Sequence, residues 1–165
     1  MKKKVAINGF GRIGRLVYRA FLERLNEFSN QYEISYINDL ADIDSNIHLL
    51  KYDSIHGPLN KEVNKISNEQ FSIGENIVTV TSERNPIDLK WKDKKVDIIL
   101  ECTGVFASKE KAMSHIESGA SKVIVSAPCS GADITVVQGV NNENINIDHQ
   151  IISNASCTTN CLAPV

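Results

Sequence analysis

The chain lacks the long apolar run that a membrane-spanning helix requires. No apolar stretch reaches about 18 residues. The opening Met1-Lys2-Lys3-Lys4 does not begin a signal peptide either, because Asn8 and Arg12 interrupt the apolar segment that follows. We therefore expect a cytoplasmic protein with no membrane partner.

A strong excess of charge of one sign is also missing. The net charge is −2, with 42% hydrophobic and 23% charged residues, which is ordinary for a globular domain. This balance gives no electrostatic reason to expect binding to nucleic acid. The sequence has no internal repeat, low-complexity tract or linker, so 165 residues predict one domain with one core.

Cysteines are few, and their spacing does not indicate a metal site. All four lie in the second half of the chain. Cys102 follows an apolar run, which favours a buried free thiol over a secreted disulfide framework. Cys157 and Cys161 are four residues apart without flanking ligands of the zinc type, so no metal is expected. We expect Cys161 to serve in packing.

The first forty residues have the pattern of a βαβ unit. Val5-Ala6-Ile7 is a short apolar strand, apolar residues then recur at helical spacing from Ile13 to Phe28, and residues 34–38 form a second strand. The right-handed crossover rule makes these two strands parallel. The charged residues of the helix, Arg19 among them, are expected on its outer face.

The rest of the chain extends the same frame. Residues 61–81 alternate with period two around Gly74, which predicts a small antiparallel insertion. Helices are predicted at 45–51 and 109–118, and strands of the parallel type at 96–100, 123–125, 134–137 and 151–152. The predicted fold is α/β: a Rossmann-type, doubly wound, mainly parallel sheet with a small antiparallel insertion.

A glycine motif lies where the first strand meets the first helix. Gly9 permits a tight turn, Gly11 lets backbone approach a pyrophosphate, and Gly14 lets the helix pack on the strand. The helix N-terminus offers the free N–H groups of Arg12 and Ile13 to an anion. The motif predicts a dinucleotide site, and a glycine turn without a ligand is the alternative.

Asp39 ends the second strand, 25 residues after Gly14. A carboxylate there accepts hydrogen bonds from both ribose hydroxyls of an adenosine and repels a 2′-phosphate. Leu40 offers no cation to such a phosphate. These residues favour NAD over NADP as the cofactor. The alternative is that Asp39 caps the following segment.

Cys157 is the best candidate for a nucleophile. Ser156 suits an N-cap and residues 158–160 begin a helix, which places the thiol where N–H groups favour a thiolate and an oxyanion. The hydroxyls of Ser156 and Thr158 suit a phosphate. A buried structural cysteine is the alternative. His149 is close in sequence, but proximity across a strand is poor evidence of contact, so we do not expect it to be the base.

Five stretches, in the same order along the chain, resemble one family, the phosphorylating glyceraldehyde-3-phosphate dehydrogenases. The stretches are Ile7-Asn8-Gly9-Phe10-Gly11-Arg12-Ile13-Gly14-Arg15, Lys51-Tyr52-Asp53-Ser54-Ile55-His56-Gly57, Glu101-Cys102-Thr103-Gly104-Val105-Phe106, Val125-Ser126-Ala127-Pro128 and residues 153–165. The resemblance covers essentially the whole chain. It implies that residues 1–165 are an NAD-binding Rossmann domain with the catalytic cysteine near its end.

The resemblance also implies a reaction and a set of ligands. Cys157 would attack the aldehyde of glyceraldehyde 3-phosphate, hydride would pass to NAD, and inorganic phosphate would release the thioester. Two groups of residues would contact these molecules. The dinucleotide would contact Arg12, Ile13, Asp39, Arg84 (beside the adenine), Thr103, Gly104 and Ser126 (near the nicotinamide), and the substrate or inorganic phosphate would contact Ser156 and Thr158.

Members of this family are longer than this chain. The resemblance implies that a C-terminal catalytic domain, with the activating histidine and most of a homotetramer core, is absent from these residues. We therefore expect little turnover from the isolated chain. Two alternatives stay open: the related erythrose-4-phosphate dehydrogenase, and a free-standing NAD-binding module without catalysis. Ser126-Ala127-Pro128 and Asn38-Asp39-Leu40 favour the triose enzyme.

Overall fold

A nine-stranded sheet forms the frame of the structure, a computed structural model that describes residues 2–165. The described residues form eleven strands, nine of them in this sheet. They are β1 (Lys3–Asn8), β2 (Tyr32–Asn38), β3 (Tyr52–Asp53), β4 (Gly57–Pro58), β5 (Val63–Lys65), β6 (Gln70–Ile73), β7 (Asn76–Thr81), β8 (Ile98–Glu101), β9 (Lys122–Val125), β10 (Ile134–Thr135) and β11 (Ile151–Ser153). Strands β3 and β4 form a separate antiparallel pair.

Six α-helices connect or flank these strands in the described part of the chain. They are α1 (Arg12–Glu23), α2 (Leu25–Phe28), α3 (Ile43–Lys51), α4 (Trp91–Lys94), α5 (Lys109–Glu117) and α6 (Cys157–Leu162), with 3₁₀ turns at Pro86–Leu89 and Asn142–Asn144. Among residues 2–165, no helix is long and apolar enough to cross a bilayer.

The strand order confirms the predicted fold class. Across the sheet the order is β10-β11-β9-β8-β1-β2-β7-β6-β5. The strands from β10 to β7 pair in parallel, and β7, β6 and β5 pair antiparallel. The predicted antiparallel insertion therefore continues the main sheet, because β7 pairs with β2. Parallel pairing brings the carboxyl ends of β1, β2 and β8 to one edge.

Two apolar layers cover the two faces of the sheet. Ile7 points to the face packed by Tyr18 and Leu22 of α1, whereas its neighbour Ala6 points to the face packed by Trp91. The alternation follows from the period of two along a strand. Fully burying one aliphatic side chain contributes about 1.5–3 kcal/mol, so these layers fix the strand register.

Two details differ from the sequence prediction. The long helix ends at Glu23, and α2 follows as a separate short helix. Arg19 is buried on the inner side of α1, where its guanidinium donates hydrogen bonds to the carbonyls of Leu50, Lys51 and Gly57. The expectation of an exposed Arg19 was wrong, because these carbonyl oxygens accept the hydrogen bonds of its buried guanidinium.

Helix boundaries shift where a capping side chain decides them. Helix α3 begins at Ile43, earlier than predicted, because the Asp42 carboxylate accepts a 2.8 Å hydrogen bond from the Ser45 N–H. Helix α5 ends close to prediction, and Gly119 follows it with φ of +110°, a conformation that suits glycine. Strand β10 is two residues shorter than predicted.

Candidate functional site

A cleft of about 390 Å³ opens at the edge where β1, β2 and β8 end. Five of the predicted site residues line it: Gly9, Gly11, Asp39, Arg84 and Thr103. Crevices at the carboxyl ends of parallel strands are where sheets of this type bind ligands. The structure therefore brings together the glycine turn, the predicted ribose ligand and the segment after β8.

The three glycines of the motif have distinct roles. A side chain at Gly9 would place its Cβ 2.7 Å from the Thr103 nitrogen, and one at Gly14 would lie 2.2 Å from the Gly9 carbonyl oxygen. At Gly11 no protein atom lies within 4 Å of the corresponding position. Protein packing therefore requires Gly9 and Gly14, whereas the space beside Gly11 is open and fits the close approach of a dinucleotide.

The start of α1 suits an anion. Gly11 occupies the N-cap position and has no side chain to accept from the first-turn N–H groups. No acidic residue lies in that turn, and Arg12 and Ile13 are exposed there. The free N–H groups and the positive end of the helix dipole can therefore bind a phosphate.

Asp39 joins the end of β2 to the glycine turn. Its Oδ2 accepts a 2.7 Å hydrogen bond from the Phe10 N–H, and its Oδ1 accepts a 2.9 Å bond from the Ala41 N–H. Each carboxylate oxygen has a second lone pair. Asp39 thus accepts a hydrogen bond from the segment that follows it, as expected if it caps that segment. Its remaining lone pairs can still accept from the two hydroxyls of a ribose.

Four buried polar residues beneath the cleft form a network that the sequence analysis did not identify. Asn38 Nδ2 donates to Asn8 Oδ1 at 2.7 Å, Asn8 Nδ2 donates to Glu101 Oε2 at 2.6 Å, and Glu101 Oε2 contacts His115 Nε2 at 3.0 Å. The available signal was positional: Asn8, Asn38 and Glu101 each end an apolar strand, and these strands are neighbours in the sheet.

Three residues predicted to contact the cofactor, Thr103, Gly104 and Ser126, follow β8 or β9 near Glu101. The hydroxyl and the N–H of Thr103 both donate to the Glu101 carboxylate, and the Ser126 N–H donates to the Glu101 backbone carbonyl at 3.0 Å. Gly104 follows Thr103 with φ of +75°. Burial raises the pKa of the neighbouring Cys102 thiol to about 11, so this cysteine stays protonated at neutral pH.

Cys157 is the first residue of α6, which follows β11 at the same edge of the sheet. The predicted cap is present, since Ser156 Oγ accepts a 3.0 Å hydrogen bond from the Thr159 N–H. Ala155, just before the cap, has φ of +57°, a left-handed conformation that is rare for alanine. Cys157 and Thr158 are exposed, so the structure does not support a buried structural cysteine.

The predicted nucleophile and the predicted phosphate ligands lie apart from the cleft lining. Cys157, Ser156 and Thr158 follow β11, which β9 separates from β8 in the sheet. Cys161 is exposed, so the expectation that it serves in packing was wrong. His149 precedes β11 whereas Cys157 follows it, which places the two residues at opposite ends of that strand. Within residues 2–165, no cluster of three metal-ligating side chains occurs.

Comparisons with known proteins give one consistent result. The family described as "Glyceraldehyde 3-phosphate dehydrogenase, NAD binding domain" matches residues 3–109. Three relatives named glyceraldehyde-3-phosphate dehydrogenase match nearly the whole chain. They come from Xanthobacter flavus (51% identity over all of this chain and 48% of the relative), Geobacillus stearothermophilus (50%, 99% and 48%) and Thermotoga maritima (50%, 98% and 47%). The chain spans about half the length of these curated relatives.

Proposed function

Because this chain belongs to the glyceraldehyde 3-phosphate dehydrogenase family, whose NAD-binding domain it matches, we propose that residues 1–165 are the NAD-binding Rossmann unit of a phosphorylating aldehyde dehydrogenase of glycolysis. The observation that carries this proposal is the open space beside Gly11, next to free helix N–H groups and the Asp39 carboxylate. A diphosphate and a ribose need these two environments side by side.

The proposed cofactor contacts combine the geometry of the cleft with what the family resemblance implies. The N–H groups of Arg12 and Ile13 bind the diphosphate, with Gly9, Gly11 and Gly14 shaping the turn beneath it. Asp39 accepts from the ribose hydroxyls, and Arg84 lies at the adenine end. Thr103, Gly104 and Ser126 form the nicotinamide side. When bound, NAD supplies the hydride acceptor for the oxidation.

Cys157 is the proposed nucleophile for an aldehyde. Its sulfur forms a bond to the aldehyde carbon, which gives a thiohemiacetal, and the N–H groups at the start of α6 stabilise the developing oxyanion. After oxidation to the thioester, an oxygen of inorganic phosphate attacks the acyl carbon and the cysteine thiolate leaves. Ser156 and Thr158 bind the substrate or inorganic phosphate, and the proposed substrate is glyceraldehyde 3-phosphate.

Two measurements test the proposal in sequence. Equilibrium titration of the chain with NAD tests the cofactor site, and saturable binding with a preference over NADP is expected. Spectrophotometric assay of NAD reduction with phosphate and either glyceraldehyde 3-phosphate or erythrose 4-phosphate tests the chemistry. We propose that full activity belongs to a homotetramer of a longer protein, whose other residues supply the base that activates Cys157. Turnover by residues 1–165 alone would show that this base lies within them. Absence of NAD binding would overturn the proposal.

A further inference from the structure

The buried carboxylate of Glu101 lies directly beneath the cleft, and its hydrogen bonds reveal its charge. The residue is 1% exposed. Asn8 and His115 contact one carboxylate oxygen, and the backbone and hydroxyl of Thr103 contact the other. Two groups that can only donate lie at the ends of this network, the indole N–H of Trp91 and the backbone N–H of Glu83. They determine which of the groups between them donate and which accept.

The first end is Trp91, whose indole nitrogen can only donate. Trp91 Nε1 lies 3.1 Å from His115 Nδ1, so that ring nitrogen accepts and carries no proton. The proton of the imidazole is therefore on Nε2, which donates to Glu101 Oε2 at 3.0 Å. His115 is thus neutral, and its tautomer is fixed.

The second end is the backbone N–H of Glu83, which donates to Asn38 Oδ1 at 2.8 Å. This contact orients the Asn38 amide so that its Nδ2 donates to Asn8 Oδ1. Asn8 must then present its own Nδ2 to Glu101. The orientation of both amides therefore follows from a backbone group that cannot rotate.

Four donors consequently converge on the Glu101 carboxylate, two on each oxygen. An ionised carboxylate accepts about four hydrogen bonds. Three of these donors, on Asn8, His115 and the Thr103 backbone, cannot accept. The Thr103 hydroxyl already accepts from the Val105 N–H at 3.0 Å, and its own proton has its partner in Glu101. Glu101 is therefore ionised. Among residues 2–165, no lysine or arginine lies within salt-bridge distance of Glu101. The basic side chain that contacts it is His115, which is neutral.

A buried charge without a counter-ion costs stability, which makes its location informative. Glu101 holds Thr103 through two hydrogen bonds, and its backbone carbonyl accepts from Ser126. These are two of the three residues proposed to lie on the nicotinamide side of the cofactor. The oxidised nicotinamide ring is a cation, and the reduced ring is neutral.

Resting on the proposed cofactor site, we propose that Glu101 is a positioning residue whose fixed negative charge makes this site select the oxidised cofactor. The carboxylate orients Thr103 at the wall of the cleft. Its charge acts across a poorly screened interior and stabilises a cationic ring but not a neutral one. The site therefore favours NAD⁺ over NADH more strongly than the same site would without the charge of Glu101.

The test measures dissociation constants for NAD⁺ and NADH in the wild-type chain, Glu101→Gln and Glu101→Asp. Glu101→Gln is expected to lower the ratio Kd(NADH)/Kd(NAD⁺) by at least about threefold, since the two ligands share the diphosphate charge and differ in charge only at the nicotinamide ring. Glu101→Asp keeps the charge but shortens the reach to Thr103. Both constants are expected to rise in that variant while the ratio stays within about twofold of wild type.

Glu33→Gln is the matched control, because it makes the same carboxylate-to-amide change at a residue that accepts from Ser35 Oγ and does not line the cleft. It is expected to leave the ratio unchanged. An equal ratio in wild type and Glu101→Gln would overturn this inference alone, whereas failure of the wild type to bind either nucleotide would overturn the proposed function as well. If Glu101→Gln does not fold, ¹³C NMR of the Glu101 carboxyl carbon in the wild-type chain decides. A chemical shift typical of a carboxylate at neutral pH supports the negative charge, and one typical of a carboxylic acid would overturn it.

Discussion

The backbone N–H of Phe10 donates a 2.7 Å hydrogen bond to the Asp39 carboxylate, which joins the glycine turn to the end of β2. This side chain therefore stabilises the glycine turn and, in the proposed site, supplies acceptors for a ribose. Loss of the carboxylate should alter both the turn and the ribose contact. Replacement by asparagine separates the two effects, because it keeps an acceptor for the turn and removes the charge.

Asp39→Asn tests the choice of cofactor. An asparagine can keep one acceptor toward Phe10 or Ala41, but it loses the negative charge that repels a 2′-phosphate. We expect weaker NAD binding and a preference for NAD over NADP that falls by at least about tenfold, or about 1.4 kcal/mol. Titration with both nucleotides gives the ratio directly.

Asp42→Ala is the control for this measurement. Asp42 caps α3 through the Ser45 N–H and does not line the cleft. Its loss should lower stability while leaving the preference between the two nucleotides unchanged. An unaltered preference in Asp39→Asn would show that Asp39 is not the ribose ligand.

Gly11→Ala and Gly14→Ala are expected to separate binding from folding. At Gly11, φ is −67° and the added Cβ meets no protein atom, so stability should change by less than about 1 kcal/mol. NAD binding should nevertheless weaken at least tenfold, about 1.4 kcal/mol, because the methyl group occupies the space for the diphosphate. At Gly14 the clash with the Gly9 carbonyl should cost about 1–3 kcal/mol of stability.

Thermal unfolding and NAD titration of both variants check this pair. Unweakened NAD binding in a folded Gly11→Ala chain would mean that the dinucleotide does not pass over this turn. Equal losses of stability in the two variants would contradict the distinct roles assigned to the two glycines.

The sequence predicted the frame of this fold better than the polar interior of its site. The glycine motif and Asp39 belong to one βαβ unit, so local pattern was enough to place them together. The contact between Asn8 and Glu101 joins residues 93 positions apart, and it depends on β8 pairing beside β1. Periodicity identifies a strand but does not give its neighbour in the sheet.

The cysteines should label at different rates with iodoacetamide. Cys157 and Cys161 are both exposed, so their comparison isolates the position on α6. The positive end of a helix is worth about 0.3–1 kcal/mol to an anion, which predicts labelling about two- to fivefold faster at Cys157. Peptide mass spectrometry measures each site, and equal rates at the two residues would remove the support for an activated thiol.

The half-buried Cys102 and the buried Cys129 provide a pH control in the same experiment. Burial raises the pKa of Cys102 to about 11, and burial beside Asp133 raises the pKa of Cys129. A raised pKa keeps a thiol protonated, and only the thiolate reacts. Both residues should therefore stay slow between about pH 7 and pH 9. Fast labelling of Cys102 at pH 8 would contradict the raised pKa of this half-buried thiol.

Arg19→Met should destabilise the fold. The guanidinium of Arg19 satisfies the carbonyls of Leu50, Lys51 and Gly57, and methionine fills similar space without a donor. Buried groups left without partners cost about 1–3 kcal/mol each, so a loss of about 2–4 kcal/mol is expected by urea unfolding. Arg24→Met is the control, since Arg24 forms an exposed ion pair with Glu27 and should change stability little. Similar losses in both variants would contradict the role of Arg19.

Ala155→Gly should not show the usual penalty of an alanine-to-glycine change. Ala155 has φ of +57°, and a left-handed conformation costs an alanine about 1–2 kcal/mol. Glycine removes this cost but adds about 0.5–1 kcal/mol of unfolded-state entropy. Ala155 is 2% exposed, so glycine also gives up about 0.8 kcal/mol for its buried methyl group. These contributions nearly cancel, and stability should change by less than about 1 kcal/mol. Ala20→Gly, inside α1, is the control and should lose about 1 kcal/mol. If Ala155→Gly loses as much as Ala20→Gly, the turn before Cys157 carries no backbone strain.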